Sequence, residues 1–221
     1  NFIMLAGCLA IGLFPGGTSA HSALGRETPS TFVRQAGKNT DPEVQTFYVQ
    51  RQFRPLWFEG SRVKPEARTA LGMMRAAAEH GLDPSQYALS EIQAAILKGH
   101  SEDQAARIRA DILLSQSFAR FAQDLHRPRL ASSVFYVDSA LRPKEPARQK
   151  VLHALAIAPS MAVQLADMEG FNPFYDDLRA TLAEELKQRA SLRELQILRL
   201  YLDRSRALPV RQTGPYVVEV A

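Results

Sequence analysis

Apolar residues recur along most of this chain at three- and four-residue intervals, the period of a helix with one buried face. The stretch 41–53 (DPEVQTFYVQRQF) offers Asp41 as a helix cap and Pro42 at the first helical position, with Val44, Phe47 and Tyr48 on one face. RPLWFEG (54–60) breaks that pattern. A second helix is predicted over 65–80, opened by Pro65 and carrying Ala67, Ala70, Leu71, Met74 and Ala78 as its stripe. His80-Gly81-Leu82 closes it, with Gly81 in the left-handed conformation and Leu82 folded back on the last turn. Asp83-Pro84 starts a short turn ending near Tyr87, and Ser90 caps a helix to about Lys98. The longest helix is predicted over 101–125, starting at Ser101. Ala105, Ile108, Ile112, Ser115, Ala119 and Ala122 line one side, with Leu113, Phe118, Phe121 and Leu125 beside them. So wide a stripe predicts a central helix contacted on two sides. An irregular connector (126–143) follows, with SVFYVD as a short strand, and then helices near 146–157, 160–167, 174–188 and 191–206. The pattern predicts an all-α domain of about eight helices over 41–206.

Both ends depart from this period. Phe2 to Phe14 is an uncharged, mainly apolar run, too short to span a bilayer comfortably and of the length found in secretory signals. Pro15, Gly16 and Gly17 end it, and Thr18-Ser19-Ala20 supplies small residues for cleavage after Ala20. Residues 1–20 therefore read as a signal peptide, clipped because no basic residue precedes the run and no initiator Met opens it. Leu5-Ala6-Gly7-Cys8 also matches a bacterial lipobox, which would place a lipid on Cys8; against it, the apolar run continues past that cysteine. Residues 21–40 read as a polar linker. At the other end, 207–221 finishes on GPYVVEVA, a strand-forming segment after a proline. A strand needs a neighbour for its N–H and C=O groups, and the helical remainder offers almost none.

Composition adds bounds. Apolar residues make up 46% of the 221 and charged residues 23%, the balance of a globular protein with a proper core. The net charge of +4 and pI of 9.4 suit an anionic surface. The arginines are spread along the helices, however, which favours a solvated surface over a nucleic-acid patch.

The sequence offers little overt chemistry. Cys8 is the only cysteine, so no internal disulfide is possible, and in a leader it has no electropositive pocket to activate it. His21, His80, His100, His126 and His153 show no H-x-x-x-H spacing. The carboxylate pairs Asp176-Asp177 and Glu184-Glu185 diverge by about 100° around a helix, which suits a solvated face better than an acid–base pair. Arg204 and Arg206 suit a helix C-terminus as well as an anion. Trp57 and Phe58, after Pro55, carry two readings: a platform for a sugar or peptide, or the commoner role of pinning a loop to the core. No catalytic, metal or cofactor-binding residue is assigned.

Five segments taken together resemble the helical scaffold domain of large bacterial L,D-transpeptidases of the cell wall. They are FYVQRQFRPLWFEG (47–60), AAAEHGLDPSQY (76–87), LLSQSFARFAQDLHRPRL (113–130), FYDDLRATLAEEL (174–186) and the run from LRLYLDRSRALP to GPYVVEVA (198–221). Pro128 stands where the family tends to have glycine, and Tyr201 to Arg206 departs from its usual Asn-Leu-Glu-Arg-x-Arg run. No peptidoglycan-binding module interrupts the helices. The resemblance implies a periplasmic or cell-envelope protein acting on peptidoglycan stem peptides through a cysteine acyl-enzyme, without cofactor. The cysteine and histidine of that chemistry belong to a following, mainly-β domain, of which GPYVVEVA resembles the first strand, so this stretch by itself is expected to be inactive. Membrane contact is implied only through the leader or a lipid on Cys8. The alternative is a non-catalytic module that binds peptidoglycan or a partner, with Trp57 in its surface.

Overall fold

A computed structural model describes residues 40–99, 103–127 and 146–206. The expected leader with Cys8, the linker to residue 39, the SVFYVD strand and the GPYVVEVA strand lie outside the described residues. Eight α-helices are present among those described: α1 (Pro42–Gln50), α2 (Pro65–Arg75), α3 (Leu89–Gly99), α4 (Gln104–His126), α5 (Arg148–Ile157), α6 (Met161–Met168), α7 (Pro173–Gln188) and α8 (Leu192–Ser205). The domain is all-α, as the periodicity predicts.

Local chemistry sets the helix starts. The Asp41 carboxylate accepts from the Glu43 and Val44 N–H groups at 2.9 and 3.4 Å, Asp103 caps α4 through Ala105 and Ala106, and Asn172 caps α7 through Tyr175. Ser191 and Glu194 close a reciprocal capping box on α8. Two starts differ from expectation. The longest helix begins at Gln104 because Asp103 caps it, and α3 begins at Leu89, just after Ala88 turns left-handed (φ 47°), so Ser90 lies inside the first turn. The second helix also tightens: Ala76–His80 is a 3-10 turn, which Gly81 (φ 70°) ends as the Leu82 N–H returns to the Ala77 carbonyl at 2.9 Å.

Between α1 and α2 the chain does more than loop. Gln52 and Phe53 both have positive φ (55° and 57°), which reverses the chain. Beyond them a two-residue hairpin forms, β1 (Phe58–Glu59) against β2 (Arg62–Val63), with Phe58 opposite Val63 and Gly60 at the tip (φ 59°). The strands are too short for an alternating pattern to announce them.

α4 is the axis of the main core. It packs against α3 and α5 and touches α1 and α2, which accounts for its wide stripe. The core runs from Val44, Phe47 and Tyr48 through Trp57, Met74 and Tyr87 to Phe118, Phe121 and Leu125. α7 and α8 form an antiparallel hairpin with a small core of its own, Tyr175, Leu182, Leu195 and Leu202. α7 is joined to the rest chiefly through the 3-10 turn.

Candidate functional site

Two buried polar clusters organise this fold. The first surrounds Asp111 on α4, which is 1% exposed. Its carboxylate accepts from the Leu56 N–H at 2.9 Å, the Trp57 N–H at 2.7 Å and the Tyr48 hydroxyl. One turn along α4, Ser115 Oγ accepts from the Trp57 indole N–H at 2.8 Å and sits 2.7 Å from the Tyr48 oxygen, to which its own proton is directed. The chain of donors thus runs from indole to serine to phenol to carboxylate. Burial pushes the Asp111 carboxyl up from its ordinary value, against the pull of its three hydrogen bonds, and pushes the Tyr48 hydroxyl well up too. This hub clamps the RPLW segment onto α4.

The hub also decides between the two readings of Trp57 and Phe58. Trp57 is 0% exposed, with its ring edge-on to Phe118 at 5.6 Å, and Phe58 is 4% exposed. Neither offers a face to a ligand, so the platform reading is corrected: these rings are core. Pro55 delivers Leu56 and Trp57 to Asp111, and a carboxylate is needed there because two backbone N–H groups would otherwise be buried without partners.

The second cluster forms the seam between the main core and the α7–α8 hairpin. His80, at the end of the 3-10 turn, is 0% exposed. Its Nδ1 lies 2.7 Å from the Tyr175 hydroxyl and its Nε2 3.3 Å from Glu169 Oε1. A carboxylate only accepts, so the proton belongs on Nε2 and the Tyr175 O–H donates to Nδ1. Burial lowers the His80 pKa, helped by the Arg179 and Arg206 charges, while Glu169 pulls the other way. The ring is therefore neutral at neutral pH. Glu169 is itself held below its ordinary value, first by its contact with His80 and then by Arg179. Arg206, just past α8, donates from Nη2 to the His80 carbonyl, pairs through Nη1 with Asp203 at 2.8 Å and lies over the Tyr175 ring at 5.7 Å. Asn172 completes the clasp by donating to the Ser205 carbonyl at 2.9 Å.

A histidine between a tyrosine and a carboxylate has the parts of a proton relay, but with the ring wholly enclosed no substrate reaches it. Its work is to fix α7 and α8 against the 3-10 turn. Sequence reading missed both clusters. Arg206 was legible as a helix-terminal cation; its burial against His80, 126 residues away, was not. The signal for the hub was Ser115 on an otherwise apolar stripe with Asp111 one turn before it. Asp177, Glu184 and Arg204 are exposed, as solvated faces require, and Glu185 is half-buried. No described helix is long and apolar enough to cross a membrane.

A family model described as Scaffold domain matches residues 42–182, nearly two thirds of the chain. No curated protein and no solved structure matches it. The matched span contains the whole Asp111 hub and, from the seam, His80, Glu169, Tyr175 and Arg179. The chain belongs to the scaffold-domain family.

Proposed function

We propose that this scaffold-domain chain is the helical portion of a secreted cell-wall L,D-transpeptidase, acting in the bacterial periplasm or cell envelope. One observation carries the reading. The motifs that resemble those enzymes, RPLWFEG and HGLDPSQY, lie within the family match and are the segments pinned by Asp111 and His80. The resemblance thus falls on the residues that build the scaffold. GPYVVEVA, which resembles the first strand of the catalytic domain, supports the same reading from outside the described residues.

On this reading the helices position a following domain. That domain attacks the tetrapeptide stem of one peptidoglycan strand through a cysteine thiolate and passes the acyl group to an amine on a neighbouring stem. On this reading the nucleophile belongs to the following domain, and the contribution of the described helices is the platform that leads into it from α8. The test is to sequence the gene beyond the codon for Ala221. A reading frame continuing for about 150 residues, an ordinary domain size, with a histidine followed by S-H-G-C, is the expected result. An immediate stop codon would sink the proposal. Purified 21–221 is also expected to form no covalent adduct with a carbapenem in a mass spectrum, whereas a protein carrying the following domain forms one stoichiometrically.

A further inference from the structure

A groove of about 380 Å³ is lined by Glu79 of the 3-10 turn and by Asp176, Arg179, Ala180 and Ala183 of α7. That volume lies at the lower end of small-molecule sites. The four α7 residues follow the i, i+3, i+4, i+7 spacing of one helix face, and the two alanines hollow it. The guanidinium of Arg179 is incompletely committed. It stands 3.5 Å from Glu79 Oε2 and 3.7 Å from Glu169 Oε2, both longer than the roughly 2.7–2.9 Å of a strong charge-assisted bond. Among the described residues no hydrogen bond or ion pair engages the Asp176 carboxylate. Two carboxylates, Glu79 and Asp176, line the groove with a single cation, Arg179, an excess that favours a positive group beside Asp176 and Glu79. The forked donors of Arg179 favour a carboxylate.

We propose that this groove binds the zwitterionic head of an α-amino acid, with its ammonium beside Asp176 and Glu79, its carboxylate on Arg179, and Ala180 and Ala183 beneath its side chain. The site goes beyond the proposed transpeptidase role and does not depend on it. The full chain, labelled with nitrogen-15, is titrated with alanine, with ethylamine as the amine-only probe and propionate as the carboxylate-only probe. Alanine should give saturable shifts at the amides of Glu79 and 176–183, with an affinity at least about tenfold above either control, the worth of one charge-assisted hydrogen bond. Arg179→Lys should bring alanine down to the level of ethylamine. Ala183→Leu, which fills the groove with a good helix former, should abolish the shifts while the circular dichroism stays helical, and Asp176→Asn should weaken alanine and ethylamine together. Ethylamine matching alanine in the unaltered chain overturns the proposal. So does unchanged binding in folded Ala183→Leu, or no saturable shift at about 50 mM, where even a weak small-molecule site fills.

Discussion

The Asp111 hub and the His80 seam are both enclosed by apolar side chains, yet they differ in how fully their atoms are paired. Around Asp111 each oxygen and nitrogen described has a partner, and the donors run in one direction to the carboxylate. At the seam, His80 Nε2 and Glu169 Oε1 face each other at 3.3 Å without hydrogen-bond alignment, and Arg206 Nε and Arg199 Nε are buried without a hydrogen-bond partner among the described residues. A fully satisfied buried network rigidifies what it holds; a partly satisfied one keeps its alternatives close in energy. The hub should therefore hold the RPLW segment to the core, and the seam is where the α7–α8 hairpin is expected to part first.

The largest effect should come from breaking the hub. Asp111→Ala leaves two backbone N–H groups and a tyrosine hydroxyl buried without their acceptor, and should cost about 3–5 kcal/mol in urea unfolding, the usual loss when one side of a buried charged network is removed. A loss below about 1 kcal/mol, ordinary for a surface change, would show the hub to be ornamental. At the seam, Gly81→Ala should cost about 1–2 kcal/mol, because the left-handed φ of 70° disfavours a Cβ and that Cβ would lie 3.2 Å from Arg199 Cγ. An unchanged melting temperature would mean that the seam yields freely. Trp57→Phe trims the ring and removes one donor, and should cost about 1–2 kcal/mol, the net worth of a single buried hydrogen bond plus a small cavity. Ser115→Ala should cost less in the Trp57→Phe background than in the unaltered chain, because only its contact with Tyr48 remains to be lost, and full additivity would separate the indole from the network.

Acid distinguishes the two clusters most finely. The pKa of His80 is lowered in the fold, so its contribution is present above the ordinary histidine pKa of about 6.5 and is lost as pH falls below that value, because the unfolded chain takes the proton more readily. Glu169, also lowered, adds a loss in the same direction below about pH 4.3. Asp111 has the opposite sign: its raised pKa means that the folded hub gains relative to the unfolded chain as pH falls. Between pH 7 and 5 the amide protection factors of α7 and α8, corrected for the slower intrinsic exchange at lower pH, should therefore fall before those of α4. A simultaneous fall across all three would remove the distinction.

Much of the fold was legible because helices announce themselves locally. Asp41-Pro42, Gly81-Leu82 and the broad stripe of α4 each specify their own conformation within a few residues. The hairpin at 58–63 was not legible, because two-residue strands leave no period. The hub and the seam were hidden for another reason. Each depends on residues far apart in sequence, and a polar residue facing a core looks like one facing water until its partner is known. Trp57 shows the same limit, since an aromatic after a proline reads equally as surface platform or core plug.

The partners of the Asp111 hub have a further consequence, for the order of events in folding. Leu56, Trp57 and Tyr48 stand 54 to 67 residues upstream of the groups they bind. Closing so long a loop costs chain entropy before any contact rewards it. α3 and α4, neighbours in sequence, can pair without that cost. The hub is therefore expected to assemble late, after the helices have paired. It acts as a latch on the finished domain: removing the Ser115 hydroxyl should speed unfolding and leave refolding nearly unchanged.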